Sequence, residues 1–283
     1  MALDRSILQR VLLTVGLGLA AACTTASLSQ PVAEPIHGAP EEFRWLSFRW
    51  PDGAVLSYVI ETSVETVVAE RVTTTRERHR FRMSSMGSVV SGVRRVRIAF
   101  DGVDIADALL DEDGHLKDIF VSVGGAEPMV EELRAGVVRT AQHPLQKRLE
   151  NATLRIGEPF TGDVLLSDIL GPLMTPTRTP ESATRLSVTY TGRKRVSGGV
   201  AAELLMSYTL APNTSYRFVF RESKVQIEVS SISGESRDYL DPDRYYRIQG
   251  YDVITTGGVG AGRRWTAKQV TVTTLDRAAS RGI

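Results

Sequence analysis

The chain has 283 residues, 42% apolar and 24% charged, enough to build a core of ordinary size. Its 34 Lys and Arg stand against 33 Asp and Glu, so no charge excess points to nucleic acid or to a charged tail. A single cysteine, Cys23, excludes an intrachain disulfide and a thiolate-cluster metal site. The four histidines, His37, His79, His115 and His143, are scattered without metal-ligand spacing.

The first element in chain order is an address. Arg5 and Arg10 outnumber Asp4 in residues 1–10, the run Val11 to Ala22 is uncharged, and small residues lead into Cys23. That is the layout of a secretory signal. The apolar run spans 12 residues, whereas a membrane-crossing helix needs about 20. The segment Leu19-Ala20-Ala21-Ala22-Cys23 resembles the lipobox of bacterial lipoproteins, although Ala20 stands where that pattern most often has leucine. The resemblance implies cleavage before Cys23 and acylation of its thiol. With Thr24 next, it also implies sorting to the outer membrane, facing the periplasm. One acyl chain holds a protein only marginally, and the two or three carried by this class anchor it stably. Residues 1–22 are then the signal and 23–42 a lipidated tether rich in Thr, Ser, Pro and Ala. The mature chain keeps 32 basic and 32 acidic residues among 261 and is formally neutral.

From Phe43 to the end a single body is expected, dominated by two-residue alternation, the mark of strands with one buried face. Leu56, Tyr58 and Ile60 show it, as do Val96, Ile98 and Phe100, then Leu204, Met206 and Tyr208, then Val225, Ile227 and Val229. Pro51-Asp52-Gly53, Asp101-Gly102, Asp113-Gly114, Ser197-Gly198-Gly199 and Gly257-Gly258 read as turns between them. Between Glu127 and Leu149, apolar residues recur at steps of three and four, which predicts an amphipathic helix bent near Pro144. A second short helix is weakly indicated over Val164 to Leu170. The expected fold is α+β, mainly β: a large curved antiparallel sheet, half-barrel-like, covered by one main helix. It resembles, by architecture alone, the half-barrels of the periplasmic lipoprotein-carrier family.

No catalytic constellation emerges. His-Glu-x-x-His, Gly-x-Ser-x-Gly and Ser-x-x-Lys are absent from the sequence. Asp111-Glu112-Asp113-Gly114 reads as a turn and lacks the alternating ligands of a calcium loop. Gly257 to Arg264 lacks the third glycine and following helix of a dinucleotide site, and reads as a hairpin loop. No cofactor is indicated. The chemistry-bearing pattern is Arg76, Arg78, Arg80 and Arg82, every second residue of one strand and so on one face. If that strand pairs with the next, Arg95 and Arg97 join the same surface. Such a patch grips phosphate or carboxylate groups bidentately. The alternative is a solvated face neutralised by Glu61, Glu65 or Glu70, in a chain where arginine outnumbers lysine 29 to 5. The sequence therefore predicts a non-enzymatic, lipid-anchored envelope protein holding a lipid or other amphiphile in an apolar cavity. The alternative is an assembly protein that docks an anionic partner on its arginine face.

Overall fold

The computed structural model describes residues 28–44, 46, 48–90, 92–121, 148–149, 152–165, 175–178, 180–197, 199–220 and 225–283. Cys23 and its leader lie outside them. Sixteen strands occupy 68% of the described residues. In chain order they are β1 (Glu34–Pro35), β2 (Glu42–Arg44), β3 (Val55–Val68), β4 (Arg71–Val90), β5 (Val93–Phe100), β6 (Val103–Leu110), β7 (Leu116–Val121) and β8 (Thr153–Arg155). Then follow β9 (Pro159–Val164), β10 (Thr175–Pro176), β11 (Thr184–Val196), β12 (Gly199–Thr209), β13 (Tyr216–Phe220), β14 (Val225–Leu240), β15 (Arg247–Gly260) and β16 (Arg263–Leu275).

Fourteen of these strands form one antiparallel sheet. Its main path is β1-β11-β12-β14-β15-β16-β3-β4-β5-β6-β7, with β9 added to β11, β13 to β14 and β10 to β13. Two meanders, β3 to β7 and β11 to β16, are thus joined where the last strand pairs with the first long one, Leu275 opposite Tyr58 and Trp265 opposite Val68. Because side chains alternate, the register sorts every strand into two faces. One row on the inner face runs Leu275, Tyr58, Phe81, Phe100. Leu56, Tyr58, Ile248 and Leu275 are buried there, with Phe48, Trp50 and Ile283 packed against the same cluster. Phe48 meets Trp50 and Tyr246 edge-on, at ring separations of 4.9 and 5.7 Å. A second cluster joins the small β2–β8 sheet to the large one through Phe43, Leu154, Val188, Tyr190 and Leu204. No helix among the described residues is long and apolar enough to cross a membrane.

The α+β expectation is corrected to an all-β architecture: helix makes up 1% of the described residues, and the main covering helix is not part of the fold they show. Of the predicted segment Glu127 to Leu149, only 148–149 lie within the described residues, and of the weaker one 166–170 lie outside. Near the start of the described chain, Glu34 stands opposite Arg195, Ile36 N–H donates to Arg193 O at 3.1 Å, and Tyr190 Oη donates to Pro40 O at 3.2 Å.

Turn chemistry is mostly as read. Asp101 and Gly102 both take positive φ, 48° and 82°, the arrangement that suits a two-residue hairpin between β5 and β6. The glycines near the end differ: Gly257 and Gly258 lie inside β15, and the turn is Ala261-Gly262. At Gly258 the need is close approach rather than a turn. A Cβ there would sit 1.8 Å from Glu228 O, beside the register shift between Val229 and Ser231. Gly258→Ala is therefore expected to lower stability by about 1–3 kcal/mol in urea unfolding, whereas Gly262→Ala disturbs only the turn.

Candidate functional site

The inner face is banded. Two adjacent rows carry hydroxyls and charges across five strands, with an apolar row on one side and a mixed row on the other. The register aligns Ser236, Asp252, Thr271, Thr62 and Glu77 in one row, and Asp238, Gly250, Thr273, Ile60 and His79 in the next. At about 4.8 Å per strand this polar band crosses roughly 19 Å of sheet. On one side lies the row Leu275, Tyr58, Phe81, Phe100. On the other, Ile254 and Val64 flank Gln269, and beyond them Val229, Trp265 and Val68 pack together.

Two networks organise the band. At its β14–β15 end, Arg247 Nη2 donates to Asp238 Oδ2 at 2.9 Å, while Arg247 Nη1 lies 3.9 Å from Asp252 Oδ2. Ser236 Oγ in turn donates to Asp252 Oδ1. Asp238 is 3% exposed, and its Oδ1 accepts no hydrogen bond, although Arg247 Nη2 stands 2.9 Å away as an ion-pair neighbour. Gly250 makes the room, since a Cβ there would lie 3.0 Å from both Arg247 Nη1 and Asp238 Oδ1. Burial pushes the Asp238 carboxyl up to about 6; Arg247 opposes that shift and Asp252 adds to it. Burial also works against the charged Arg247, but Asp238, Asp252 and Tyr58 outweigh it and hold the guanidinium above its ordinary value. At the β4 end, buried His79 shares hydrogen bonds with Asp101 Oδ2 at 2.7 Å and Glu77 Oε2 at 3.1 Å, its ring 4.7 Å from that of Phe100. Between them, Gln269 Nε2 donates to Thr271 Oγ1 at 3.2 Å and Thr62 Oγ1 sits 3.4 Å from Thr271 Oγ1. The band is not sealed: Thr62, Ser236, Asp252 and Gln269 are half-buried, as are the apolar Ile60, Met206 and Ile254 beside them.

The predicted arginines lie on the opposite, outer face. Strands β4 and β5 do pair, and the register of Arg82 with Ala99 and Ser84 with Arg97 puts Arg95 and Arg97 on the surface of Arg76, Arg78, Arg80 and Arg82. The six do not share one electrostatic state. Asp107 on β6 binds Arg95 and accepts from Arg97 Nε at 3.3 Å, and Asp104 lies 3.3 Å from Arg97 Nη1. Hydrogen bonding from Arg95 leads the effects that hold the Asp107 carboxyl below the ordinary range. Of the predicted counter-charges, Glu61 reaches Arg78 Nε at 3.7 Å, Glu65 stands opposite Thr74, and Glu70 sits in the β3–β4 turn. The carboxylates that count, Asp104 and Asp107, follow a turn in an unremarkable stretch of sequence. Asp238 and Ser236 had a signal: they fall at inward positions of an alternating strand.

A pocket of about 460 Å³ opens beside Arg49, Trp50, Gly92, Arg94 and Asp111. Its arginines are already engaged, Arg94 with Asp52 and Ser85 and Arg49 with Asp113 at 2.9 Å. Asp111 accepts from the N–H groups of Asp113 and His115, which is the turn expected there. Among the described residues no group of three or more metal-ligating side chains assembles.

No protein-family model and no curated protein matches the chain. Among solved structures it is similar to lipovitellin, in a structure concerned with lipid–protein interactions, at 10% identity and TM-score 0.32. That match covers 80% of this chain and 25% of the other, so the chain spans about a quarter of lipovitellin's length. It is similar to Ail, the attachment invasion locus protein of Yersinia pestis, at 5% identity and TM-score 0.17, covering 79% of this chain and 98% of that one. A DUF1329 family protein from Desulfovibrio piger gives 10% identity and TM-score 0.17, covering 78% and 86%. Likenesses of this size fix neither a family nor a ligand.

Proposed function

We infer that the chain is an envelope lipoprotein, held at a bilayer by acyl chains on Cys23, whose inner sheet face receives an amphiphile without transforming it. The observation that carries this reading is the banding of the inner face. A partly buried band of hydroxyls, carboxylates and one guanidinium lies between the apolar row Leu275, Tyr58, Phe81, Phe100 and a row in which Ile254 and Val64 flank Gln269, which matches a molecule with a polar part and an apolar part. The polar group would lie along Ser236, Asp238, Arg247 and Asp252, and the chain against Ile254, Met206 and Ile60. The test is native mass spectrometry of protein made with its own leader in a Gram-negative host. The expected result is a co-purifying amphiphile on the wild type and an occupancy at least about tenfold lower in Ile254→Glu, a loss matching about 1.4 kcal/mol. A wild type carrying nothing beyond its covalent lipid would overturn the binding reading. Intact mass decides the anchor separately: a mature chain beginning at Cys23 with its sulfur bare would overturn that part alone.

A further inference from the structure

The arginine row on β4 has a property that the amphiphile reading does not use. β4 is a 20-residue strand that pairs with β3 over Arg71–Ser84 and with β5 from Phe81 onward, so Arg82 lies inside the sheet and Arg76 and Arg78 on a stretch paired with β3. Arg76, Arg78, Arg80 and Arg82 are all exposed and stand about 6.8 Å apart, over roughly 20 Å in a straight line. Their outward neighbours on β3 are Ser63, Glu61, Val59 and Ser57, and Arg82 faces Ala99 on β5. Two carboxylates stand beside the row: Glu61 at Arg78, in a pair that is open to solvent and long at 3.7 Å, and Asp101 at Arg80, whose Oδ1 accepts from the Arg80 backbone N–H at 2.8 Å while its Oδ2 bonds His79. Arg76 has a contact of its own. Neither Arg80 nor Arg82 forms an ion pair with the described residues. Arg95 and Arg97, by contrast, are satisfied by Asp107 and Asp104.

We propose that the outer face of β4 docks an extended acidic segment of a protein partner, with carboxylates at alternate residues paired to Arg76, Arg78, Arg80 and Arg82. The argument is one of period. A second extended chain repeats its side chains at the same two-residue distance, so one carboxylate can meet each guanidinium without either backbone bending. Bidentate guanidinium–carboxylate geometry then favours a one-dimensional match. Phosphates of a bilayer are arrayed in two dimensions and gain nothing from a single file of arginines. Val59 and Ser63 beside the row are uncharged, while Ser57, beside Arg82, is buried and bonded to Asp276 and Ser280.

The full chain, purified in a non-ionic detergent, is titrated into a fluorescent peptide alternating Glu and Ser, and into a peptide of the same composition with its glutamates in one block. The alternating peptide is expected to bind about tenfold more tightly, weakening as salt is raised. In Arg80→Glu/Arg82→Glu this binding falls by at least about tenfold, while Arg80→Gln/Arg82→Gln gives a smaller loss and Arg95→Gln changes it by less than about twofold. Equal affinity for the two peptides, displacement of both alike by inorganic phosphate, or unchanged binding in the double glutamate variant would each overturn the proposal. Co-purification of an amphiphile is read independently and is untouched by any of these outcomes.

Discussion

Tyr190→Ala is expected to be among the most destabilising single substitutions in the molecule, costing about 3–5 kcal/mol in urea unfolding. Tyr190 is fully buried and its ring stacks on Phe43 at 5.4 Å. It lies among Leu154 of β8, Val188 of β11, Ala202 and Leu204 of β12 and Leu240 of β14, so its walls come from four strands. Truncation would leave a cavity that paired strands cannot collapse into without breaking register. The backbone is committed at the same residue: Tyr190 O accepts from Gly157 N–H at 2.9 Å, and Ile156 bridges to Tyr190. This one side chain thus holds β2, β8 and the chain around Pro40 on the large sheet. Tyr190→Phe isolates the phenol, whose bond to Pro40 O at 3.2 Å is worth about 1 kcal/mol. The check is a denaturation pair with proteolysis of residues 40–44. A loss in Tyr190→Ala no larger than in Tyr190→Phe would mean that the ring packs against nothing that matters.

That contact shows where sequence reading stops. The alternation of Leu204 and Met206, or of Leu56 and Tyr58, was legible because a strand with one buried face repeats every two residues whatever it packs on. The pairing of β4 with β5 was legible for a similar reason, since short turns force neighbours together. What was not legible depends on register between strands far apart in the chain. Asp107 neutralises Arg95 and Arg97 only because β6 is aligned so that Asp107 falls opposite Arg97. Tyr190 meets Phe43 only because β2 returns to the sheet across 146 intervening residues. Ala69 and Glu70, both at positive φ, form a tight hairpin with no glycine to announce it. Gly257 and Gly258 misled in the opposite direction, because glycine serves close backbone approach as well as turns.

Asp238 gives the other large effect, as a dependence on pH. Its folded carboxyl titrates near 6 against an ordinary 3.8, with burial as the main cause. The folded state therefore holds its proton more tightly than the unfolded chain does. Stability from this group is complete below about pH 3.8 and declines as pH rises through 6, because the unfolded chain loses its proton first. At 1.36 kcal/mol per pKa unit the decline totals about 3 kcal/mol. Asp107 and Asp111 are shifted the other way, Asp107 chiefly by its bond to Arg95, and their contribution is lost as pH falls. Those terms are common to the wild type and Asp238→Asn, so subtracting one stability profile from the other removes them. The difference is expected to change by about 2 kcal/mol between pH 4 and pH 6.5 and to level off above pH 7. A flat difference across the whole range would mean that Asp238 ionises at its ordinary value, and that Arg247 already compensates its burial in full. The step matters for the inner face, because protonation removes the charge of one of the two carboxylates that face Arg247. Arg247 then has Asp252 as its ionised partner, and the room beside Gly250 holds a hydrogen-bond donor where it held an acceptor. A bound polar group that donates to Asp238 at neutral pH should therefore be released as pH falls below 6.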